Sequence, residues 1–215
     1  MSKANGSGVH HPVFARMYAR MARDFEAKGA AEHREEALAG LTGRVVEIGA
    51  GTGANFVHYP ATVTEVVAVE PEAYLRDLAA QAAASAPVPV TVLDGMADDL
   101  PLDDAACDAG VASLVLCTVP DQAAALGELR RVIRPGGELR FFEHVRSESP
   151  RLARVQRAID VVWPRLGGGC HTNRATLDGI EAAGFTVEKL RRFTFRPSLV
   201  VAPTAPHIIG LARRP

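Results

Sequence analysis

Charge of one sign is missing from this 215-residue sequence: 24 lysines and arginines face 25 aspartates and glutamates, a net charge of −1. That balance argues against a nucleic-acid binder, because phosphate neutralisation needs clustered positive charge. The basic pairs Arg130-Arg131, Arg191-Arg192 and Arg213-Arg214 are too scattered to make a stripe. Cysteine is scarce. Cys107, Cys117 and Cys170 are odd in number and widely spaced, so neither a disulfide framework nor a zinc site is implied, and a reducing compartment is the simplest reading. Long apolar runs are absent too. The opening MSKANGSGVHHPVF lacks a signal-peptide core, and no window reaches the roughly 18 apolar residues needed to span a bilayer. A soluble, cytoplasmic protein without a membrane anchor is expected. No histidine–carboxylate spacing reads as a metal site, so no metal is expected.

What is present is a globular chain, 47% hydrophobic, long enough for one domain with a real core. Residues 1–11 read as a loose tail. From Pro12 to about Leu41 the pattern is helical, with Phe14, Met17, Tyr18, Met21 and Phe25 at helical spacings and a break at Lys28-Gly29. Short apolar runs at 43–48, 63–69, 89–93, 108–113 and 138–145 read as five strands. Helical segments at 72–85, after Asp121, at 151–163 and after Thr172 alternate with them. Pro135-Gly136-Gly137 and Gly184 act as stops, and Asp121 and Thr172 as caps. Two closing strands are expected at 185–193 and 205–211. Strands alternating with helices imply an α/β fold, a parallel sheet with helices on both faces, whose ligands bind outside the strand carboxyl ends.

One such end carries Glu47-Ile48-Gly49-Ala50-Gly51-Thr52-Gly53, between a strand and an expected helix start. Its glycines let the backbone turn tightly and approach a ligand. Glu70, 21 residues after Gly49, ends the next strand, where an acid accepts from both ribose hydroxyls. Gly49, Gly51 and Ala54 also satisfy a dinucleotide fingerprint. Glu47 discriminates. Beside a pyrophosphate it would cost about 4 kcal/mol per charge pair at about 4 Å in an effective dielectric of about 20. S-adenosyl-L-methionine has no phosphate, and its ammonium and sulfonium suit a carboxylate.

The segments EIGAGTG, VVAVEP, DGMADDLPLDDAACD, SLVLCTVPD and LRRVIRPGGELRFFEHV resemble the successive motifs of class I methyltransferases of the type 11 domain, including the ubiquinone and menaquinone C-methyltransferases. GTGANFVHYP, LVLCTV, FFEHV, the Gly-Gly-Gly-Cys run at 167–170 and PHIIG are similar to the methyltransferase-like group whose animal members methylate alkyl thiols and carry an N-terminal membrane anchor. The resemblance implies a doubly wound Rossmann-like sheet of seven strands, mostly parallel with an antiparallel C-terminal strand. It implies lid helices within residues 1–42 and a methyltransferase domain over 43–215. It sets Glu47, Gly49, Ala50, Gly51, Thr52 and Asn55 around the methionine end of the cofactor. Glu70 and Pro71 fall at the ribose and one adenine face, Met96 and Ala97 at the adenine edge. Ala112, Ser113 and Cys117 fall near the sulfonium, with Tyr18 closing the lid. Two departures stand out. Many relatives have an acid at the Met96 position, leaving backbone, Asp94 or Asp98 to meet the adenine amine. Many also have histidine where Cys117 stands, so no catalytic histidine exists there.

Methyl transfer from a sulfonium is an in-line displacement in which the protein supplies positioning and electrostatics. A thiol acceptor needs little help, because the thiolate is the nucleophile and its unperturbed pKa is about 8.5. His144, after the fifth strand, and His171, after the glycine run, are the candidates to accept or orient a proton. Cys170 reads as a small packed apolar residue, His207 as a packing residue, and His10, His11, His33 and His58 as surface or loop residues. Phe141 and Phe142 point to opposite faces, one to line an apolar pocket and one to pack beneath a helix. Little basic charge is expected around the acceptor, so a neutral, lipophilic small molecule is favoured over a large anionic one. O-, N- or C-methylation of a phenol or quinol, an NAD-dependent oxidoreductase and a non-catalytic cofactor binder are the alternatives.

Overall fold

The computed structural model describes residues 12–196 and 202–215. The expected tail of residues 1–11, with His10 and His11, lies outside the described residues. The remaining elements run α1 (Pro12–Phe25), α2 (Ala31–Leu38), β1 (Gly43–Ile48), β2 (Val63–Val69), α3 (Ala73–Ala83), β3 (Val90–Leu93), β4 (Cys107–Ser113), α4 (Gln122–Val132), β5 (Ile133–His144), α5 (Pro150–Ile159), α6 (Trp163–Leu166), α7 (Thr176–Ala182), β6 (Thr186–Thr194) and β7 (Pro206–Arg213).

The strands form one sheet in the order β3-β2-β1-β4-β5-β7-β6. β1 pairs in parallel with β2 on one side and β4 on the other. β7 inserts antiparallel between β5 and β6. This is the doubly wound, mostly parallel seven-stranded sheet that the sequence led us to expect. Chain order reverses between β1 and β4, so a crevice opens beyond their carboxyl ends.

Side-chain alternation along each strand divides the core into two layers. Val46, Ile48, Ala112, Leu139 and Phe141 pack with Leu126 and Leu129 of α4 and Ile180 of α7. Val45, Val66, Ala68 and Val111, from the other face, pack with Leu38 of α2 and Ala79 of α3. Helices therefore cover both faces. Phe141 and Phe142 do take opposite sides, but both are fully buried, so neither is an open pocket wall. Phe142 instead sits among Phe193, His33 and His207, with ring centroids 5.6–6.2 Å away. His33 is thus half-buried in an aromatic group rather than a simple surface residue.

The break between α1 and α2 falls where expected. Lys28 leaves helical geometry and Gly29 takes φ +107°, a conformation glycine adopts without a Cβ penalty. Four local expectations differ. The glycine loop leads into a short 3₁₀ turn, Phe56–His58, rather than a full helix, because Pro60 drives Tyr59 to extended geometry. The helix expected at 151–163 is interrupted between Ile159 and Trp163. Pro135-Gly136-Gly137 lies inside β5, since Gly136 N–H and Gly137 C=O bond the backbone of Arg214. Thr172 does not cap α7: its hydroxyl donates to the Gln156 carbonyl at 2.9 Å, while Ala175 precedes the helix.

Candidate active site

The carboxyl ends of β1, β2 and β4 converge on Glu47, the 49–53 loop, Glu70 and Ser113. Gly49 and Gly51 have φ of +59° and +58°. A Cβ on Gly49 would lie 2.2 Å from Val115 Cγ2 of the loop after β4, so the two loops approach too closely for any other residue. Ala50 and Gly51 are buried and Thr52 is half-buried.

Glu47 is almost fully buried. Asn55 Nδ2 donates to one of its oxygens at 2.9 Å, and the Tyr59 hydroxyl to the other at 2.6 Å. Burial pushes its carboxyl up to about 7, against the lowering effect of both hydrogen bonds and of Arg34. Glu70, also buried, accepts from the N–H of Gly51 at 2.8 Å and of Glu72 at 3.0 Å. It is therefore no solvated strand end, and each of its oxygens retains a lone pair for a ligand. Pro71 follows it, half-buried.

Arg34 of α2 had no signal in the sequence. It is buried, and its Nη1 donates to Asn55 Oδ1 and to Ser113 Oγ, both at 2.9 Å, while Nε pairs with Glu26. Its partners in the crevice lie 21 and 79 residues away, beyond any local pattern. Tyr59 escaped notice for the same reason. The ring of Tyr18 lies over the glycine loop, 3.5 Å from where a Gly51 Cβ would stand. Burial first, then Glu70 and Cys117, raise the Tyr18 phenol. Met96 and Ala97, both half-buried, lie beyond β3. Asp94 is engaged by Arg76 at 3.0 Å. Ala112 is fully buried between Ile48 and Phe141.

On the β4–β5 side, Leu114 adopts φ +58°, a strained conformation for a non-glycine residue, costing roughly 1 kcal/mol or more. Glu143 holds the turn. Fully buried, it accepts from the N–H groups of Val115 and Leu116 at 2.9 Å and of Cys117 at 3.4 Å. A lone glutamate inside the apolar run FFEHV was the available signal for it.

Beside this turn, His144 Nε2 lies 3.0 Å from Cys170 Sγ. Cys170 is therefore not the packed apolar residue expected. A hydrogen bond from Cys117, then the charge of His144, lower the Cys170 thiol; the same bond and burial raise Cys117. Burial pulls the His144 imidazole down, but Cys170 outweighs it and the net shift is upward. The spacing in sequence implied no metal cluster, yet the fold brings donor atoms of Cys117, His144 and Cys170 within 4.8 Å of one another. His171 differs: its Nδ1 engages Asp160 at 2.8 Å, and its N–H donates to the Cys117 carbonyl. His207 is buried, bonds the Ala205 carbonyl through Nδ1, and is pulled down to about 3 by desolvation.

A cleft of about 340 Å³ opens past the ends of β5 and β6 and the start of β7, against His207. Arg146, Arg192 and Arg196 line it with Glu148, which pairs with Arg192 at 3.1 Å, while Arg146 lies 3.6 Å from Asp178. Basic residues therefore stand close to the end of β5, where little basic charge was expected.

A reversing parallel sheet with a glycine loop and two buried carboxylates at its edge defines a class I methyltransferase. Residues 46–141 match the methyltransferase domain family. Human thiol S-methyltransferase TMT1B is 34% identical over 81% of this chain and 73% of its own. The ubiquinone/menaquinone biosynthesis C-methyltransferase UbiE of Syntrophotalea carbinolica is 33% identical, over 63% and 58%. A solved S-adenosylmethionine-dependent methyltransferase from Thermotoga maritima superposes with a TM-score of 0.69 at 24% identity, covering 94% of this chain and 98% of that one. The chain belongs to the S-adenosylmethionine-dependent methyltransferases of this domain family. Among the described residues no helix is long and apolar enough to cross a membrane.

Proposed function

We propose that this methyltransferase transfers the methyl group of S-adenosyl-L-methionine to the sulfur of a small thiol. The observation that carries the choice of sulfur is the Cys117–His144–Cys170 group at the β4–β5 edge, and the similarity to thiol S-methyltransferases supports it. Glu47, Gly49, Ala50, Gly51, Thr52 and Asn55 hold the methionine end, with Arg34 facing its carboxylate and Glu47 its ammonium. Glu70 takes the ribose hydroxyls, Pro71 one adenine face, and Met96 and Ala97 the adenine edge. Ala112, Ser113 and Cys117 flank the sulfonium. Helices α1 and α2 serve as a lid, closed by Tyr18, over the domain that starts at Gly43.

When bound, the cofactor supplies an electrophilic methyl on a positively charged sulfur. The chain's part is to align the acceptor in line with it and to favour the thiolate. His144 adjoins the acceptor sulfur. His171, held by Asp160, orients the 167–171 loop. The acceptor thiol would give its proton to solvent and take the methyl as a thiolate, the electron pair of the broken sulfonium bond staying with the cofactor's sulfur.

An acceptor panel of thiols, phenols, amines and quinols, read by mass spectrometry with labelled cofactor, tests this. Methylated thiols are expected; phenol, amine or carbon methylation with shape-matched thiols untouched overturns it. Glu70→Ala should weaken cofactor binding by about 1.5 kcal/mol or more. Arg196 in the cleft, beside the paired Arg146 and Arg192, favours a second reading, a thiol bearing a carboxylate, which preference for a mercapto acid over its neutral ester would support.

A further inference from the structure

We propose that Cys117, His144 and Cys170 bind one thiophilic divalent cation of the Zn²⁺ type, with a fourth position open to the acceptor sulfur. The inference rests on the thiol reading only for that fourth ligand.

Two sulfurs and one imidazole nitrogen are the donor set that selects zinc over harder cations, and three protein ligands with one vacancy mark a catalytic rather than a structural site. The three donors come from separate segments: the turn after β4, the end of β5 and the loop after α6. Their mutual reach is within 4.8 Å, with His144 Nε2 and Cys170 Sγ at 3.0 Å. Bonds of about 2.3 Å to sulfur and about 2.0 Å to nitrogen around a tetrahedral centre set donors roughly 3.5–3.8 Å apart. Closure onto a cation therefore needs only side-chain adjustment.

The frame around the donors is already built. Glu143 fixes the Val115–Cys117 backbone through three N–H groups. The N–H of His171 bonds the Cys117 carbonyl at 2.8 Å, tying the 167–171 loop to the same turn. Cys117 and His144 are buried and Cys170 is partly so, which shields the donors from bulk water.

The chemistry closes. A thiol that coordinates the cation loses its proton outright to solvent. Two cysteine thiolates cancel the cation's charge, so the bound acceptor thiolate leaves the centre with one net negative charge facing the sulfonium. Its electron pair forms the new bond to methyl as the sulfonium carbon–sulfur bond breaks. The thioether product is neutral, a weaker ligand than a thiolate, and departs.

The test uses the full-length protein, stripped with a chelator and titrated with Co²⁺ as a spectroscopic substitute, with Zn²⁺ competition. One equivalent is expected, with the absorption of a tetrahedral thiolate-ligated ion, lost in Cys170→Ser and His144→Gln variants whose circular dichroism is unchanged. X-ray absorption of Zn²⁺-loaded wild type, independent of any variant, should show two sulfur neighbours and one nitrogen. Adding a small alkyl thiol should shift the Co²⁺ bands. No stoichiometric binding, with thiols still methylated, overturns the site and leaves the thiol reading standing. Stoichiometric binding with bands that no thiol moves overturns the fourth-ligand role, while the site itself survives and the acceptor panel decides the thiol reading.

Discussion

Arg34 of α2 donates from Nη1 to Asn55 Oδ1 at 2.9 Å, joining the N-terminal helices to the loop beyond β1. The same nitrogen reaches Ser113 at the end of β4, so a single buried guanidinium spans two sides of the crevice. Glu26 and two neutral partners hold that cation in the crevice, the arrangement behind the proposed contact with the cofactor's carboxylate.

Arg34→Ala should therefore weaken S-adenosylmethionine binding by about 1.5–3 kcal/mol, at least tenfold in Kd. Arg34→Lys should recover only part, because an ammonium cannot reproduce the guanidinium's fork of donors. Calorimetric titration reads both. Unchanged affinity in Arg34→Ala would remove Arg34 from the carboxylate role.

Binding should also depend on pH through Glu47. Its carboxyl is pushed up to about 7 by burial, while an incoming ammonium favours the charged form. Affinity should rise as pH climbs towards 7 and level off above, with proton release on binding below that point. Calorimetry in two buffers of different ionisation enthalpy measures the proton count. Linkage runs the other way for folding. A raised carboxyl pKa contributes stability below the unfolded value, near 4.5, and loses it as pH rises through about 7.

Removing Glu143 should unfasten the turn after β4. Glu143→Ala strands three N–H groups, two of them buried, and should cost about 3 kcal/mol in urea unfolding, with Glu143→Gln costing less because one acceptor oxygen remains. An alanine variant as stable as wild type would mean that other groups hold the turn.

Gly49→Ala meets two obstacles, φ +59° and Val115 Cγ2 at 2.2 Å from the new Cβ. A loss of about 2 kcal/mol or more is expected, together with weaker cofactor binding as the loop shifts. Thermal melts with and without S-adenosylhomocysteine separate the two effects.

The sequence alone determined the sheet, the break at Lys28-Gly29, the glycine loop and the carboxylates Glu47 and Glu70, because periodicity, turn chemistry and strand-end position are properties of neighbours along the chain. It missed the short 3₁₀ turn at Phe56–His58 and the true capping of α7, where proline sterics and a tertiary partner of Thr172 override local preference. Only the tertiary structure decided which distant side chains meet. Arg34 with Asn55 and Ser113, Glu143 with the turn after β4, and Cys170 with Cys117 and His144 are contacts between segments that no spacing relates. Parallel strands place residues far apart in sequence at one common edge, and the chemistry of this protein gathers there.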